Sequence, residues 1–289
     1  MMISGKAKVC GIMAYPVEHS LSPMMHNFYA GQMGIDFAYV PFKVLEQSVG
    51  EAVRGAYALN LAGMNVTVPH KQRVIPYLKE LDEAAEAIGA VNTLVRVEGG
   101  YKGYNTDAPG LLRTMTEAGM EIEGRDCLLI GAGGAAKAAA FLLGSQGAAS
   151  VIVLNRNPKR AGKLSEEMNR RFGRAFMTAM ALADYGKVPD RPYLAVQTTS
   201  VGMDPDTGRA PVEDRGFYRN IPWAMEIIYT PAKTRFMSLV EEAGGRAVNG
   251  LDMLLYQGIE AFELWNPGRK VPEAVVSQAR EMMRKELEK

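Results

Sequence analysis

The sequence predicts an α/β protein built as two units, and three observations carry that prediction. Short apolar runs alternate with amphipathic helical stretches through the first third of the chain, the pattern of strands joined by helical crossovers. The alternation restarts after Gly124 with an apolar strand, a glycine-rich turn and an Ala-rich helix. The chain has 289 residues, more than the roughly 100–150 at which single domains are commonest.

The elements follow in order. Val9–Met13 reads as a strand, Pro23–Gly34 as a helix, Phe37–Phe42 as a strand, Val44–Leu59 as a helix and Gly63–Val68 as a strand. Pro69 suits a first helical position and opens a helix to about Leu78. Interleaved strands and helices imply a parallel sheet, and the turn residues at Gly99-Gly100 and Gly103 mark a break. Asp126–Ile130, a helix to about Gly144 and Val151–Leu154 then form a βαβ unit of the length a right-handed crossover needs. Tyr193–Val196 and Ala224–Ile228 continue as strands, and two helices, Leu251–Trp265 and Pro272–Glu288, follow Asn249-Gly250. No internal repeat or low-complexity tract interrupts this order.

Composition narrows the function. With 47% hydrophobic and 22% charged residues the chain can bury a core, which excludes global disorder. Lys+Arg at 33 against Asp+Glu at 32 gives a charge of +1, without the basic footprint of a nucleic-acid or anionic-membrane binder. Any anionic partner is then a small molecule held by a few placed groups. Cys10 and Cys127 each lie in an apolar run, which excludes a disulfide framework and points to a reducing compartment. The stretch Met1–Lys6 lacks the apolar core of a signal peptide, so the expectation is a cytoplasmic protein with no membrane segment.

Gly131-Ala132-Gly133-Gly134-Ala135-Ala136 sits between a predicted strand and a predicted helix, the context in which such a turn binds a dinucleotide. Gly131 allows the tight turn, Gly133 lets backbone approach a pyrophosphate, and the helix start offers free N–H groups. About 20 residues on, where an NAD site places a carboxylate for the ribose, stand Asn155, Arg156, Asn157, Pro158, Lys159 and Arg160. No carboxylate there repels a 2′-phosphate. Arg156 and Arg160, four apart, are expected to converge on one helical face, which selects NADP over NAD.

The first unit holds the polar candidates. Asn65 and Thr67 share one strand face, with Met64, Val66 and Val68 on the other. Lys71 falls in the first turn of the helix expected after Pro69, where the macrodipole opposes an ammonium. Ser22-Pro23 reads as helix N-cap and first helical residue, and Ser20 points the same way, so two hydroxyls at a helix start make a carboxylate site. Asp107 reads as the N-cap of a helix to Met120. His19, His26 and His70 lack metal-ligand spacing, so no metal is expected.

Together these strings resemble the shikimate dehydrogenase family over nearly the whole chain: Pro16–Asn27, Gly63–Lys71, Gly89–Thr93, Asn105–Asp107, Gly131–Lys137, Asn155-Arg156 and Asn249–Gly258, in that order. The resemblance implies a two-domain α/β fold, an N-terminal substrate-binding domain of residues 1–107 and 250–289 and a Rossmann-type doubly wound NADP-binding domain of residues 108–249. It implies reversible NADPH-linked reduction of 3-dehydroshikimate to shikimate in aromatic amino acid biosynthesis, by a monofunctional enzyme acting as a monomer or homodimer. It carries catalytic roles onto Lys71 and Asp107, and substrate contacts onto Ser20, Ser22, Asn65, Thr67, Lys71, Asn92, Asp107, Tyr229 and Gln257. Cofactor contacts fall on Gly131, Ala132, Gly133, Gly134, Ala135, Asn155, Arg156, Arg160, Met203 and Gly250. Two positions depart from the pattern: Gln197 stands where the family more often has Asn, and Glu226 where Asp is common. The alternatives are a quinate/shikimate dehydrogenase using NAD(P) and a non-catalytic protein that senses such metabolites; retention of both Lys71 and Asp107 argues against the sensor.

Overall fold

The computed structural model describes residues 3–288; Met1 and Met2 of the N-terminal stretch read above lie outside the described residues. The chain divides into two compact units. Unit 1 runs to Gly110 and resumes at Leu255, and unit 2 is the continuous segment Leu111–Leu254.

In unit 1 the chain makes β1 (Lys8–Ala14), α1 (Ser22–Gln32), β2 (Phe37–Lys43), α2 (Val49–Ala58), β3 (Gly63–Val66), β4 (Glu80–Leu81), α3 (Glu83–Ile88), β5 (Thr93–Val97) and β6 (Gly100–Tyr104). The sheet order is β2-β1-β3-β5-β6-β4. β1 pairs parallel with β2 and β3, but β5 runs antiparallel to both β3 and β6, so the sheet is mixed and not parallel as expected. The antiparallel half comes from a hairpin. Gly99, at φ 78, turns β5 directly into β6, so the glycines that read as a break in the pattern are the turn and second strand of a hairpin.

No α-helix follows Pro69. The Lys71 carbonyl accepts from the Val91 amide and not from Ile75 within a helix, and Pro76 has no amide to continue one, so only a 3-10 turn at Ile75–Tyr77 forms. Val68 leaves the sheet and is exposed. The helix expected from Val44 begins as a 3-10 turn at Glu46–Ser48 before α2.

Unit 2 continues through α4 (Asp107–Glu117), which starts in unit 1, then β7 (Asp126–Ile130), α5 (Gly134–Ser145), β8 (Ser150–Asn155), α6 (Pro158–Phe172), β9 (Met177–Ala181), β10 (Leu194–Gln197), β11 (Trp223–Glu226), α7 (Arg235–Glu242) and β12 (Arg246–Val248). Its sheet, ordered β12-β11-β10-β7-β8-β9, is parallel throughout. Both faces are covered, which is why the strands are continuous apolar runs. Leu129 and Val153 pack into one core with Ala139 and Leu143, while Ile130 and Leu154 pack into the other with Tyr218 and Phe236.

α8 (Leu251–Trp265) carries the chain back, and α9 (Glu273–Leu287) packs on α1 in unit 1. Trp265 Nε1 donates to the Leu94 carbonyl at 2.8 Å, and a Cβ on Gly63 would come within 2.0 Å of that nitrogen, so only glycine on β3 admits the indole. No helix among the described residues is long and apolar enough to cross a membrane.

Candidate active site

In unit 1 the polar candidates form one hydrogen-bonded network whose centre is Asn92. Its Nδ2 faces Thr106 Oγ1 and Asp107 Oδ1, both at 2.9 Å, and Gln257 Oε1 at 3.4 Å. Its Oδ1 accepts from the Thr106 amide at 2.7 Å and the Thr93 hydroxyl at 3.1 Å. This fixes the amide orientation, and with it one oxygen of Asp107. The other oxygen, Asp107 Oδ2, accepts from Lys71 Nζ at 2.6 Å, in a pair whose side chains are 14% and 6% exposed. Deleting one partner of so buried a pair strands the other charge, at a cost of about 3–5 kcal/mol.

Asn65 joins through its Nδ2, which donates to Thr93 Oγ1 at 3.0 Å and the Asn92 carbonyl at 3.2 Å, while its Oδ1 accepts from the Tyr39 hydroxyl at 2.6 Å. Both donors of Asn65 are therefore spent, and what it offers a ligand is the remaining lone pair of Oδ1. Ser22 is buried at the start of α1, and Ser20 Oγ accepts its amide at 3.3 Å. Thr67 continues the line of β3, its amide on the Met13 carbonyl at 3.1 Å.

Three local readings change. Leu21, not Ser22, occupies the N-cap of α1 and no side chain caps it, which leaves the Ser22 hydroxyl out of capping. Asn105 takes the cap role expected of Asp107: its Oδ1 accepts the Asp107 amide at 3.1 Å and the Ala108 amide at 3.4 Å, so Asp107 stands inside the first turn of α4 with its carboxylate given to Lys71 and Asn92. Lys71 lies on the irregular segment after β3, so the helix-dipole argument for it has no helix to act through.

Unit 2 presents backbone where unit 1 presents side chains. Its chain passes from β7 to β8 and β9 on one side and to β10, β11 and β12 on the other, so the strand order reverses between β7 and β10, where open α/β sheets bind ligands at the strands' carboxyl ends. Gly131 sits there at φ +117, and a Cβ on it would meet Thr198 Oγ1 at 2.4 Å. Gly133 is the exposed N-cap of α5, with no side-chain cap and nothing within 4 Å of where its Cβ would stand. The turn thus leaves open room at a helix start whose first amides lack side-chain partners, which fits a pyrophosphate. Ala132, Gly134 and Ala135 complete the turn, and Gly250 packs its Cα against the Ile227 carbonyl, where a Cβ would come within 2.0 Å.

At the tip of β8, Asn155 Nδ2 donates to the Asn157 carbonyl at 2.9 Å, and Asn157 caps α6 by accepting the Lys159 amide at 3.0 Å. Arg156 precedes α6 while Arg160 is in its first turn, so the two do not share a helical face as expected; they flank the cap. Arg156, Lys159 and Arg160 are exposed and have no ion-pair partner among the described residues. Cations in a first turn without acidic residues oppose the helix dipole, an arrangement a bound phosphate would relieve. The residues present therefore fit a dinucleotide bearing a 2′-phosphate. Met203, 46% exposed, and the half-buried Tyr229 also belong to unit 2.

Sequence reasoning missed Tyr39, Thr93, Asn105 and Thr106, which hold Asn65, Asn92 and Asp107 in place, and it passed over Lys159 as a third cation. Thr93, Asn105 and Thr106 all lay within the matched strings, flanking residues that were chosen. The histidines stay out of the network: His26 is fully buried with burial pushing it down to about 3, and His70 Nε2 bonds the Val44 carbonyl at 2.8 Å. No group of three or more His, Cys, Asp or Glu comes together as a metal site among the described residues.

A glycine turn at the switch point of a doubly wound sheet, cations awaiting a phosphate, and a Lys–Asp pair inside a polar network are the parts of a dinucleotide-linked oxidoreductase. Comparison with known proteins makes this particular. The profile described as shikimate dehydrogenase substrate binding domain matches residues 12–94, that of shikimate / quinate 5-dehydrogenase residues 114–185, and that of the shikimate 5′-dehydrogenase C-terminal domain residues 250–279. A shikimate dehydrogenase (NADP(+)) from Desulforamulus reducens is 42% identical, with 91% of each chain covered. The crystal structure of a Listeria monocytogenes shikimate 5-dehydrogenase in complex with shikimate and NAD superposes with a TM-score of 0.87 at 33% identity, covering 98% of each chain. A Thermus thermophilus shikimate 5-dehydrogenase in complex with NADP(H) and shikimate gives 0.82 at 32% identity, over 95% of this chain and 99% of that one. The chain belongs to the shikimate dehydrogenase family.

Proposed function

We propose that this protein interconverts 3-dehydroshikimate and shikimate with NADP(H), unit 1 holding the substrate and unit 2 the cofactor. The observation that carries the reading is the buried Lys71–Asp107 pair, fixed by Asn92 and 14% and 6% exposed. NADP supplies the hydride chemistry when bound, on Gly131, Ala132, Gly133, Gly134, Ala135 and Gly250 for the backbone-facing parts and on Asn155, Arg156 and Arg160 for the 2′-phosphate. Lys71 Nζ moves the proton: it delivers one to the substrate oxygen on reduction and takes one from the hydroxyl on oxidation. Asp107 keeps the ammonium at that atom through one oxygen while Asn92 pins the other. Ser20 and Ser22 bind the ring carboxylate. Asn65, Thr67, Asn92 and Gln257 position the ring hydroxyls, and Asn65 does so as an acceptor. Cys10 and Cys127 are free and buried, in keeping with a reducing, cytoplasmic setting.

The test follows absorbance of the reduced nicotinamide with NADPH or NADH, and with shikimate and quinate in turn. Turnover with shikimate and NADP(H) well above the other three combinations is expected. Turnover favouring quinate with NAD would replace the reading with the broader dehydrogenase, and none with any pair would replace it with a binding protein.

A further inference from the structure

Tyr39 is buried in β2, yet its side chain ends in a hydroxyl that stands among the polar groups of unit 1. That hydroxyl donates to Asn65 Oδ1 at 2.6 Å. The direction of the bond is fixed from the far side: the Asn65 amide hydrogens are spent on Thr93 Oγ1 and the Asn92 carbonyl, so an oxygen faces Tyr39 and the phenol donates. Thr93 in turn donates to Asn92 Oδ1 at 3.1 Å. The phenol has one hydrogen, so to its other polar neighbour, the Ser22 side chain, it offers lone pairs alone.

The rest of the residue is held as firmly. Asn27 Nδ2 donates to the Tyr39 carbonyl at 2.9 Å, and Asn27 Oδ1 accepts the Tyr39 amide at 2.9 Å, which ties β2 to α1 at this residue. His26 stacks on the ring with centroids 4.3 Å apart and planes at 21°, and Trp265 of α8 packs on it at 5.9 Å. Ser22 and His26 stand four apart on α1, so one face of that helix meets both the hydroxyl and the ring. Phenylalanine would fill the same space in the core. What the hydroxyl adds is a bridge between Ser22 of α1 and Asn65 of β3, two elements that otherwise bring their side chains to the site separately.

We propose that Tyr39 is a positioning residue for the substrate: its hydroxyl sets the Asn65 acceptor and the Ser22 hydroxyl in one register, so that a single ligand meets both. The proposal rests on the reading of Ser22 and Asn65 as substrate contacts. Without the phenol the buried Asn65 oxygen loses its donor, and it turns toward the His26 imidazole, which faces Asn65 with neither nitrogen partnered. Tyr39 acts on binding and not on the proton step, because Asn92, itself fixed by the Thr106 amide, holds the Lys71–Asp107 pair from the other end of the network.

The experiment measures kcat and the KM for shikimate at saturating NADP for the wild type, Tyr39→Phe, Asn65→Ala and the double variant, with melting curves alongside. Phenylalanine keeps the ring between His26 and Trp265 and removes only the bridge. Tyr39→Phe is expected to raise the KM for shikimate about fivefold, with kcat and the KM for NADP within about twofold. A residue that only supported the core would lower the amount of active enzyme, seen in kcat and melting, and leave KM where it was; that result overturns the proposal. Asn65→Ala alone is expected to raise the KM about tenfold, and Tyr39→Phe added to it to raise it less than twofold further, since the phenol then has no Asn65 oxygen to hold. A larger further rise overturns the route through Asn65. If Tyr39→Phe does not fold, Asn27→Ala takes its place: it frees the Tyr39 backbone, and a KM for shikimate raised about threefold is expected, an unchanged one overturning the proposal. Asn65→Ala with the wild-type KM defeats the reading of Asn65 as a substrate contact and the proposal with it, whereas a raised KM there beside an unmoved one in Tyr39→Phe defeats only the role of Tyr39.

Discussion

The two candidate sites are built in opposite ways. In unit 1, the side chains of Lys71, Asp107, Asn92 and Gln257 bond one another, and Asn65 bonds the Asn92 carbonyl and Thr93, before any ligand arrives. In unit 2, the glycine turn offers backbone, and Arg156, Lys159 and Arg160 have no ion-pair partner among the described residues. A preformed network holds reacting groups in place, so its loss falls on the chemistry. A site of unpaired cations is completed by its ligand, so its loss falls on binding.

The sharpest test of that contrast is Lys71→Ala. It is expected to lower kcat roughly 10²- to 10⁴-fold with the KM for NADP within about twofold, measured by steady-state kinetics. Intact kcat with a large rise in KM would break the comparison on the unit 1 side. Next in size, replacing Arg156 and Arg160 together with alanine is expected to raise the KM for NADP roughly 10- to 100-fold and leave that for NAD within about twofold, because only the 2′-phosphate loses charge-assisted bonds. Equal effects on both cofactors would remove the cations from the site. Ser22→Ala should raise the KM for shikimate roughly tenfold with kcat nearly unchanged, since it removes one hydroxyl of a carboxylate site.

The smallest effect near neutrality separates the units by pH. His26 in unit 1 is buried with both ring nitrogens unpartnered, its folded pKa about 3 against an ordinary 6.5. Below pH 6.5 the unfolded chain takes up a proton the folded one refuses, so stability falls as pH drops toward 3. Glu226 in unit 2 has the opposite sign: raised from 4.5 to about 8, it favours the fold at low pH and loses that contribution as pH climbs through this window. In melting curves, His26→Phe should flatten the fall in stability as pH drops from 6.5 toward 3, and Glu226→Gln the fall as pH rises from 4.5 to about 8; either substitution flattening the other's fall would refute the assignment.

The sequence disclosed what periodicity and glycine chemistry encode. β7, the turn at Gly131, α5 and β8 fall within a residue or so of where the pattern placed them, because a parallel strand buried on both faces is an unbroken apolar run. It failed where tertiary partners decide. The segment after Pro69 looked helical, but the Lys71 carbonyl is claimed by Val91 twenty residues on, a bond no local pattern announces. The hairpin of β5 and β6 was lost for a similar reason, its glycines being read as a break in the alternation and not as a turn within it. The choice of site residues came from their chemistry and matched strings, yet two capping roles were misassigned: Leu21 and not Ser22 is the N-cap of α1, and Asn105, two residues before Asp107, takes the amides at the start of α4.

The Trp265 indole on the Leu94 carbonyl joins residues 171 apart, and unit 2 lies wholly between them in the chain. During synthesis the ribosome therefore delivers every residue of unit 2 before the helices that complete unit 1. Until α8 arrives, Phe37 and Tyr39 of β2 and His26 of α1, which pack against Phe262 and Trp265, have no cover. The nascent chain holds its substrate-side sheet half-dressed while the cofactor-side sheet already has all its strands, which makes the first unit begun the last one finished.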